Sequence, residues 1–168
     1  MSLEIVVAAP ADAVVLANVA AATFPLACPP SVTAEDVATF IDAELSTARF
    51  AEYLADPDKR VLTVNTGGRI IGYAILVHPA GEPAVELSKF YLLPDHHGTG
   101  AATALMRAAL DMAGAAGAAG AQTIWLGVNR NNDRAQGFYR KSGFEVTGSR
   151  TFEVGNATEH DLIMSRRL

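Results

Sequence analysis

The stretch LLPDHHGTGAATAL, residues Leu92 to Leu105, decides the fold of this chain. A hydrophobic segment with the character of a β-strand, AVELSKFYLL, runs into Pro94, and Gly98 and Gly100 precede an Ala-rich helix. Such a strand-to-helix turn presents backbone N–H groups at the positive end of a helix dipole, where phosphate groups bind. We therefore expect a phosphate-bearing ligand at this turn.

Two common phosphate sites do not fit this turn. A dinucleotide site of the form G-x-G-x-x-G would have Thr103 at its third glycine, and the next predicted strand ends at Val128 without a carboxylate for a ribose. A P-loop fails because no Lys-Ser or Lys-Thr pair follows the glycines. The turn by itself leaves its ligand open, and a purely structural turn is the alternative.

Composition bounds the class of protein. A chain of 168 residues that is 50% hydrophobic predicts one domain, residues 1–168, with a buried core. A net charge of −5 argues against a nucleic-acid partner. The lone cysteine, Cys28, excludes an internal disulfide and favours a cytoplasmic protein. We see no apolar run near the roughly 20 residues of a membrane span and no basic leader, so we expect neither a membrane partner nor a signal peptide.

The predicted elements follow one another irregularly: a strand, helices, three strands, a helix, a strand, a helix and two strands. This order predicts a mixed α/β sandwich rather than a regular βαβ series. Strict alternation along residues 84–92 predicts that one face carries Val85, Leu87 and Tyr91, and the other Glu86, Ser88, Phe90 and Leu92.

A second motif, WLGVNRNNDRAQGFYRKSGF, spans Trp125 to Phe144. It reads as a strand and then a short helix that Gly143 ends. Asn132 and Tyr139 are seven positions apart, so they share one helix face about two turns apart. With the glycine turn, this motif resembles the GNAT superfamily of N-acetyltransferases over essentially the whole chain. The matching positions are His97, Gly98, Thr99, Gly100, Ala101 and Ala102 in the turn, and Asn132, Ala135, Phe138, Tyr139, Gly143 and Phe144 in the second motif.

The resemblance implies a mostly antiparallel central sheet, flanked by helices, in which two central strands splay apart. It also implies acetyl-coenzyme A as cosubstrate, with the pantetheine arm between those strands. Pantetheine would pair with the backbone of one strand, and the turn amides would hold the pyrophosphate. The implied binding residues are Phe90, Tyr91, Leu92, His97, Gly98, Thr99, Gly100, Ala101, Ala102, Thr103 and Asn132.

The resemblance also assigns catalytic roles. Tyr139 would be the general acid to the coenzyme thiolate, the alternative being a packed helix aromatic like Phe138. In some members a Glu acts as the general base at the position where this chain has Gly127. Glu86 is therefore the expected base here, either directly or through water. The alternative is that Glu86 only forms hydrogen bonds within the sheet. Asn132 would contact pantetheine or order a water, and it could also cap its helix.

His97 stands where the family usually has Gln or Arg, and a neutral His offers one donor in place of a charged fork. Weaker or pH-dependent coenzyme binding is therefore expected. The pair His96-His97 lacks the ligand pattern of a metal site, so no metal is expected.

The acceptor is the least determined feature. Within the superfamily the chain most resembles bacterial spermine/spermidine-type N-acetyltransferases, through ELSKFYLLP, the second motif and TGSRTFEVGNATEHDLIM. A polyamine or other small primary amine is the expected acceptor. The alternatives are a protein N-terminal or lysine amine, and a non-catalytic coenzyme-binding module. A homodimer is compatible with the resemblance.

Overall fold

The computed structural model describes residues 2–168, which form seven strands and five α-helices around one sheet. The elements in chain order are β1 (Leu3–Val7), α1 (Ala13–Ala27), α2 (Ala34–Glu44), α3 (Thr47–Ala55), β2 (Lys59–Thr66), β3 (Arg69–Val77), β4 (Ala84–Leu92), α4 (Ala101–Ala115), β5 (Thr123–Asn129), α5 (Asp133–Lys141), β6 (Glu145–Val154) and β7 (Ala157–Arg167). Short 3-10 turns occupy Pro10–Asp12, Pro94–His96 and Ala116–Ala119.

The sheet has the strand order β1-β2-β3-β4-β5-β7-β6, and every neighbouring pair except β4–β5 is antiparallel. The parallel β4–β5 pairing begins at Ala84 and Thr123 and ends at Glu86 and Trp125, although both strands continue beyond it. We call the gap that opens beyond this last pair the fork. The predicted mixed sheet with splayed central strands is confirmed.

Helices cover both faces of the sheet. On one face α4 packs Leu105, Met106 and Ala109 into a cluster with residues of β2, β3, β4 and β5. On the other face, which we call the α1 face, α1 packs Leu16 and Phe24 into a second cluster with residues of α3, β2 and β3. The fork thus lies between two independently packed layers, which fix the directions of its two strands.

A β-bulge in β4 changes the predicted distribution of its side chains. Ile75 of β3 lies opposite Lys89 and Leu76 lies opposite Leu87, so Ser88 has no partner. The expectation that one face carries Val85, Leu87 and Tyr91 is therefore wrong. The extra residue shifts the alternation by one: Val85, Leu87, Phe90 and Leu92 pack on the α4 side, while Tyr91 packs on the α1 face.

The expectation that no apolar run comes near a membrane span is wrong for the segment Pro10–Ala27. By length and composition it could cross a membrane, with a mean hydropathy of 1.4 over 18 residues. In the fold its residues Leu16, Ala20 and Phe24 are buried against the α1 face of the sheet. Packing in the core accounts for these buried residues, while Val14, Val15 and Leu26 stay exposed.

Candidate active site

The turn between β4 and α4 presents a run of free backbone donors. Gly98 and Gly100 have φ angles of 78° and 87°, a left-handed conformation that suits glycine. The first helical hydrogen bond of α4 runs from Ala104 N–H to the Gly100 carbonyl at 3.0 Å. Among residues 2–168, no acceptor takes the N–H groups of residues 98–103. These six donors fit the pyrophosphate of a nucleotide-bearing ligand.

Side chains brace the turn from within. Thr99 Oγ1 donates to the His96 carbonyl at 2.6 Å. The His97 ring reaches back to the end of β4, where Nε2 donates to the Leu92 carbonyl at 3.1 Å. In a neutral ring this bond leaves Nδ1 as an acceptor, which cannot donate to a phosphate. The structure thus places His97 at the predicted site as a support of the turn.

The second motif joins the turn at the fork. Phe90 of β4 packs on α5, with ring centroids 5.6 Å from Phe138 and 6.3 Å from Tyr139. Phe144 lies 6.1 Å from Tyr139 on the other side. Because Phe90 lies beyond the last β4–β5 pair, these contacts hold Tyr139 beside the fork.

The tyrosine is in the protonation state that a general acid needs. Burial raises the pKa of the Tyr139 hydroxyl above its ordinary value. Asn132 fixes the start of the same helix, since its Oδ1 accepts a hydrogen bond from Ala135 N–H at 3.2 Å. The expected N-cap role of Asn132 is therefore confirmed, while its contact with pantetheine stays a prediction.

Glu86 lies elsewhere. It is the partner of Trp125 in the last β4–β5 pair, and it points to the α1 face because its neighbours Val85 and Leu87 are buried on the α4 side. There it lines a cavity of about 270 Å³ together with Glu44 and Lys89. Tyr139 does not line this cavity. Any proton transfer between Glu86 and a group in the fork would therefore run through water molecules.

Sequence reasoning missed a group on the α1 face of β5, β6 and β7. Arg150 Nε donates to Asp161 Oδ2 at 3.2 Å, and the Arg150 guanidinium lies 5.7 Å from the centre of the Trp125 ring and 5.5 Å from that of Phe152. A Cβ at Gly127 would collide with this guanidinium. The glycine that replaces the expected base thus makes room for an arginine. The pairing of β5, β6 and β7 creates this group, and nothing local in the sequence signals it.

Known proteins resemble this chain over most of its length. Residues 26–144 match the family model described as the acetyltransferase (GNAT) family. An uncharacterized N-acetyltransferase of Mycobacterium bovis is 55% identical over 157 residues, which cover 94% of this chain and 98% of that protein. Streptothricin acetyltransferase of Streptomyces lavendulae is 32% identical over 66% of this chain and 59% of its own length.

A solved structure supports the fold. The PaiA N-acetyltransferase of Thermoplasma acidophilum, crystallised with coenzyme A, superimposes with a TM-score of 0.84 at 22% identity and covers 100% of both chains. Together with the family match and the mycobacterial relative, this agreement confirms the assignment to the GNAT superfamily. The chain belongs to the acetyltransferase (GNAT) family and is an N-acetyltransferase.

Proposed function

We propose that this N-acetyltransferase transfers the acetyl group of acetyl-coenzyme A directly to a small primary amine within the fork. GNAT enzymes use acetyl-coenzyme A as acetyl donor. The observation that carries the proposal is the continuity of three features. The free amides of residues 98–103, the unpaired end of β4 and the Tyr139 side chain follow one another along one gap.

The donor would lie along this gap. The amides of residues 98–103 hold its pyrophosphate, and the backbone of Phe90, Tyr91 and Leu92 pairs with the pantetheine amides as an added strand. Asn132, at the start of α5, contacts the pantetheine arm or a water beside it. When bound, the donor supplies an activated thioester carbonyl.

The transfer then needs two proton movements. A primary ammonium has a pKa near ~10.4, so it must lose a proton before its nitrogen attacks the carbonyl. Glu86 accepts that proton through water. Its position supports this role, because it lies on the α1 face in the last β4–β5 pair, where the fork begins. As the carbon–nitrogen bond forms and the carbon–sulfur bond breaks, Tyr139 donates its proton to the departing sulfur. Its raised pKa supports this role because the hydroxyl is protonated at neutral pH.

The acceptor enters from the α1 face. Glu86, Glu159 and Asp161 place carboxylates there, and Glu159 is held by Asn129 Nδ2 at 3.2 Å and by Ser31 Oγ at 3.4 Å. Carboxylates attract an ammonium group, which supports a small amine and includes the polyamine that the sequence resemblance suggests. The streptothricin acetyltransferase relative supports a small amine as well.

A thiol-release assay tests this function. Acetyl-coenzyme A is incubated with spermidine, cadaverine, L-lysine or a short peptide with a free N-terminus, and products are identified by mass. Transfer to at least one small amine, with the peptide a poor acceptor, is the expected result. Release only with the peptide would favour the protein-acetylating alternative. No release with any amine, while calorimetry shows coenzyme A binding, would contradict the proposal.

We also propose a cytoplasmic location, which the single cysteine supports. A homodimer remains part of the proposal, and light scattering at working concentration measures it.

A further inference from the structure

Arg150 is held in a defined position on the α1 face. Its Nε donates to Asp161, which is 6% exposed, and its guanidinium lies within 6 Å of the ring centres of both Trp125 and Phe152. The guanidinium lies directly over Gly127, in the space that a side chain there would fill. An arginine fixed by one carboxylate and two aromatic rings loses little conformational freedom when it binds a further group.

Solvent reaches the remaining donors of Arg150, although Nη2 also lies against Gly127. The bond to Asp161 uses Nε alone, and among residues 2–168 no acceptor takes a hydrogen bond from either Nη atom. The side chain is 32% exposed, and neither Nη atom is among the buried unpaired ones. If the guanidinium only paired with Asp161, we would expect Nε and one Nη atom both to donate to that carboxylate. Here the two terminal nitrogens stay available beside Trp125, the strand partner of Glu86.

We propose that Arg150 is a specificity-determining residue that binds a carboxylate of the acceptor, so that the preferred acceptor is an amino acid or a similar amine bearing a carboxylate. This inference rests on the proposed function, because it identifies the substrate class of the same site. The planar guanidinium of Arg150 matches the two oxygens of a carboxylate. The ammonium end of such a molecule is attracted by Glu86 and Glu159. A fully cationic polyamine would instead meet Arg150 with like charge.

Trp125 reports binding directly, because it is the only tryptophan of the chain and touches Arg150. Its fluorescence is titrated with matched pairs that differ only in the carboxylate: L-lysine and L-lysinamide, glycine and glycinamide, β-alanine and its amide. Inorganic phosphate serves as the anion comparison. We expect at least one carboxylate to bind about 10-fold to 100-fold tighter than its amide, the range for a charged hydrogen-bonded contact.

Arg150→Met removes the charge and keeps the aliphatic stem, so the two members of each pair should then bind alike. Arg69→Met is the matched control, since this exposed arginine carries the same charge on β3, a strand that does not pair with β5, β6 or β7. Should Arg150→Met fold poorly, the comparison within each pair on the native enzyme still decides. A native enzyme without preference or response for any carboxylate, tighter binding of phosphate than of every carboxylate, or a preference that survives in Arg150→Met would overturn the inference.

The thiol-release assay separates this inference from the proposed function. Equal turnover of both members of every pair leaves acetyl transfer intact and removes the role of Arg150. A fluorescence response to carboxylates with no turnover of any amine supports carboxylate binding at Arg150. The same result contradicts the proposed acetyl transfer.

Discussion

Gly127→Ala tests whether the Arg150 guanidinium really lies over β5. A Cβ at position 127 would lie 2.8 Å from Arg150 Nε, 2.6 Å from Cζ and closer still to Nη2. Since these atoms end a flexible side chain, Arg150 should swing away while the backbone stays. The variant then loses the bond to Asp161 and the contacts with the Trp125 and Phe152 rings, although Arg150 itself is still present.

The magnitude follows from these contacts. A hydrogen bond between charged groups contributes about 1.5–3 kcal/mol when buried, and we take about 1–2 kcal/mol because the Arg150 side chain is 32% exposed. The two cation–π contacts add about 0.5–1 kcal/mol together at this exposure. We therefore expect a loss of about 2 kcal/mol in the free energy of unfolding, a fall in Tm of about 4–8 °C for a domain of this size.

Thermal unfolding followed by circular dichroism measures the effect in a double-mutant cycle with Arg150→Ala, which removes the guanidinium together with its stem. In that background the collision is gone, so Gly127→Ala should cost nothing further. Gly114→Ala is the control, because its Cβ meets open space within α4, and it should raise stability by about 0.5–1 kcal/mol. An equal cost of Gly127→Ala in both backgrounds would refute the placement of Arg150.

Three further outcomes are expected. Gly100→Ala should lower the free energy of unfolding by about 1–2 kcal/mol, because its φ of 87° is unfavourable for alanine, while the new Cβ itself meets open space. The variant should also bind coenzyme A more weakly in calorimetry. Unchanged stability would contradict this reasoning. Because burial raises the pKa of Tyr139, its acid function is lost only as pH rises through that raised value, so kcat should show no falling limb from this group below about pH 10. Burial raises the pKa of Cys28 to about 11, so iodoacetamide should react slowly at pH 8 and faster as pH approaches that value; rapid alkylation at pH 8 would argue against it.

Local patterns predicted much of this architecture. The glycine turn and the Asn132 cap predicted where α4 and α5 begin. These features depend on neighbours in sequence, so the residues themselves reveal them. The splayed strands followed from the family resemblance.

Features set by contacts between distant strands escaped prediction. The bulge at Ser88 reverses the face of Phe90, and only the pairing with β3 reveals it. Arg150 meets Gly127 because β7 lies between β5 and β6, an order that no local pattern encodes. For this reason sequence reasoning recognised the missing base at Gly127 but not the arginine that fills its place.

Tyr139→Phe is the most direct test of the proposed chemistry. The change removes only the hydroxyl and keeps the ring contacts with Phe90, Phe138 and Phe144, so the fold and the coenzyme A dissociation constant should be preserved. With the best amine from the panel, kcat measured by thiol release should fall about 100-fold or more, the range of a lost general acid. A kcat equal to that of the native enzyme, with coenzyme A still bound, would contradict the role of Tyr139 at the fork.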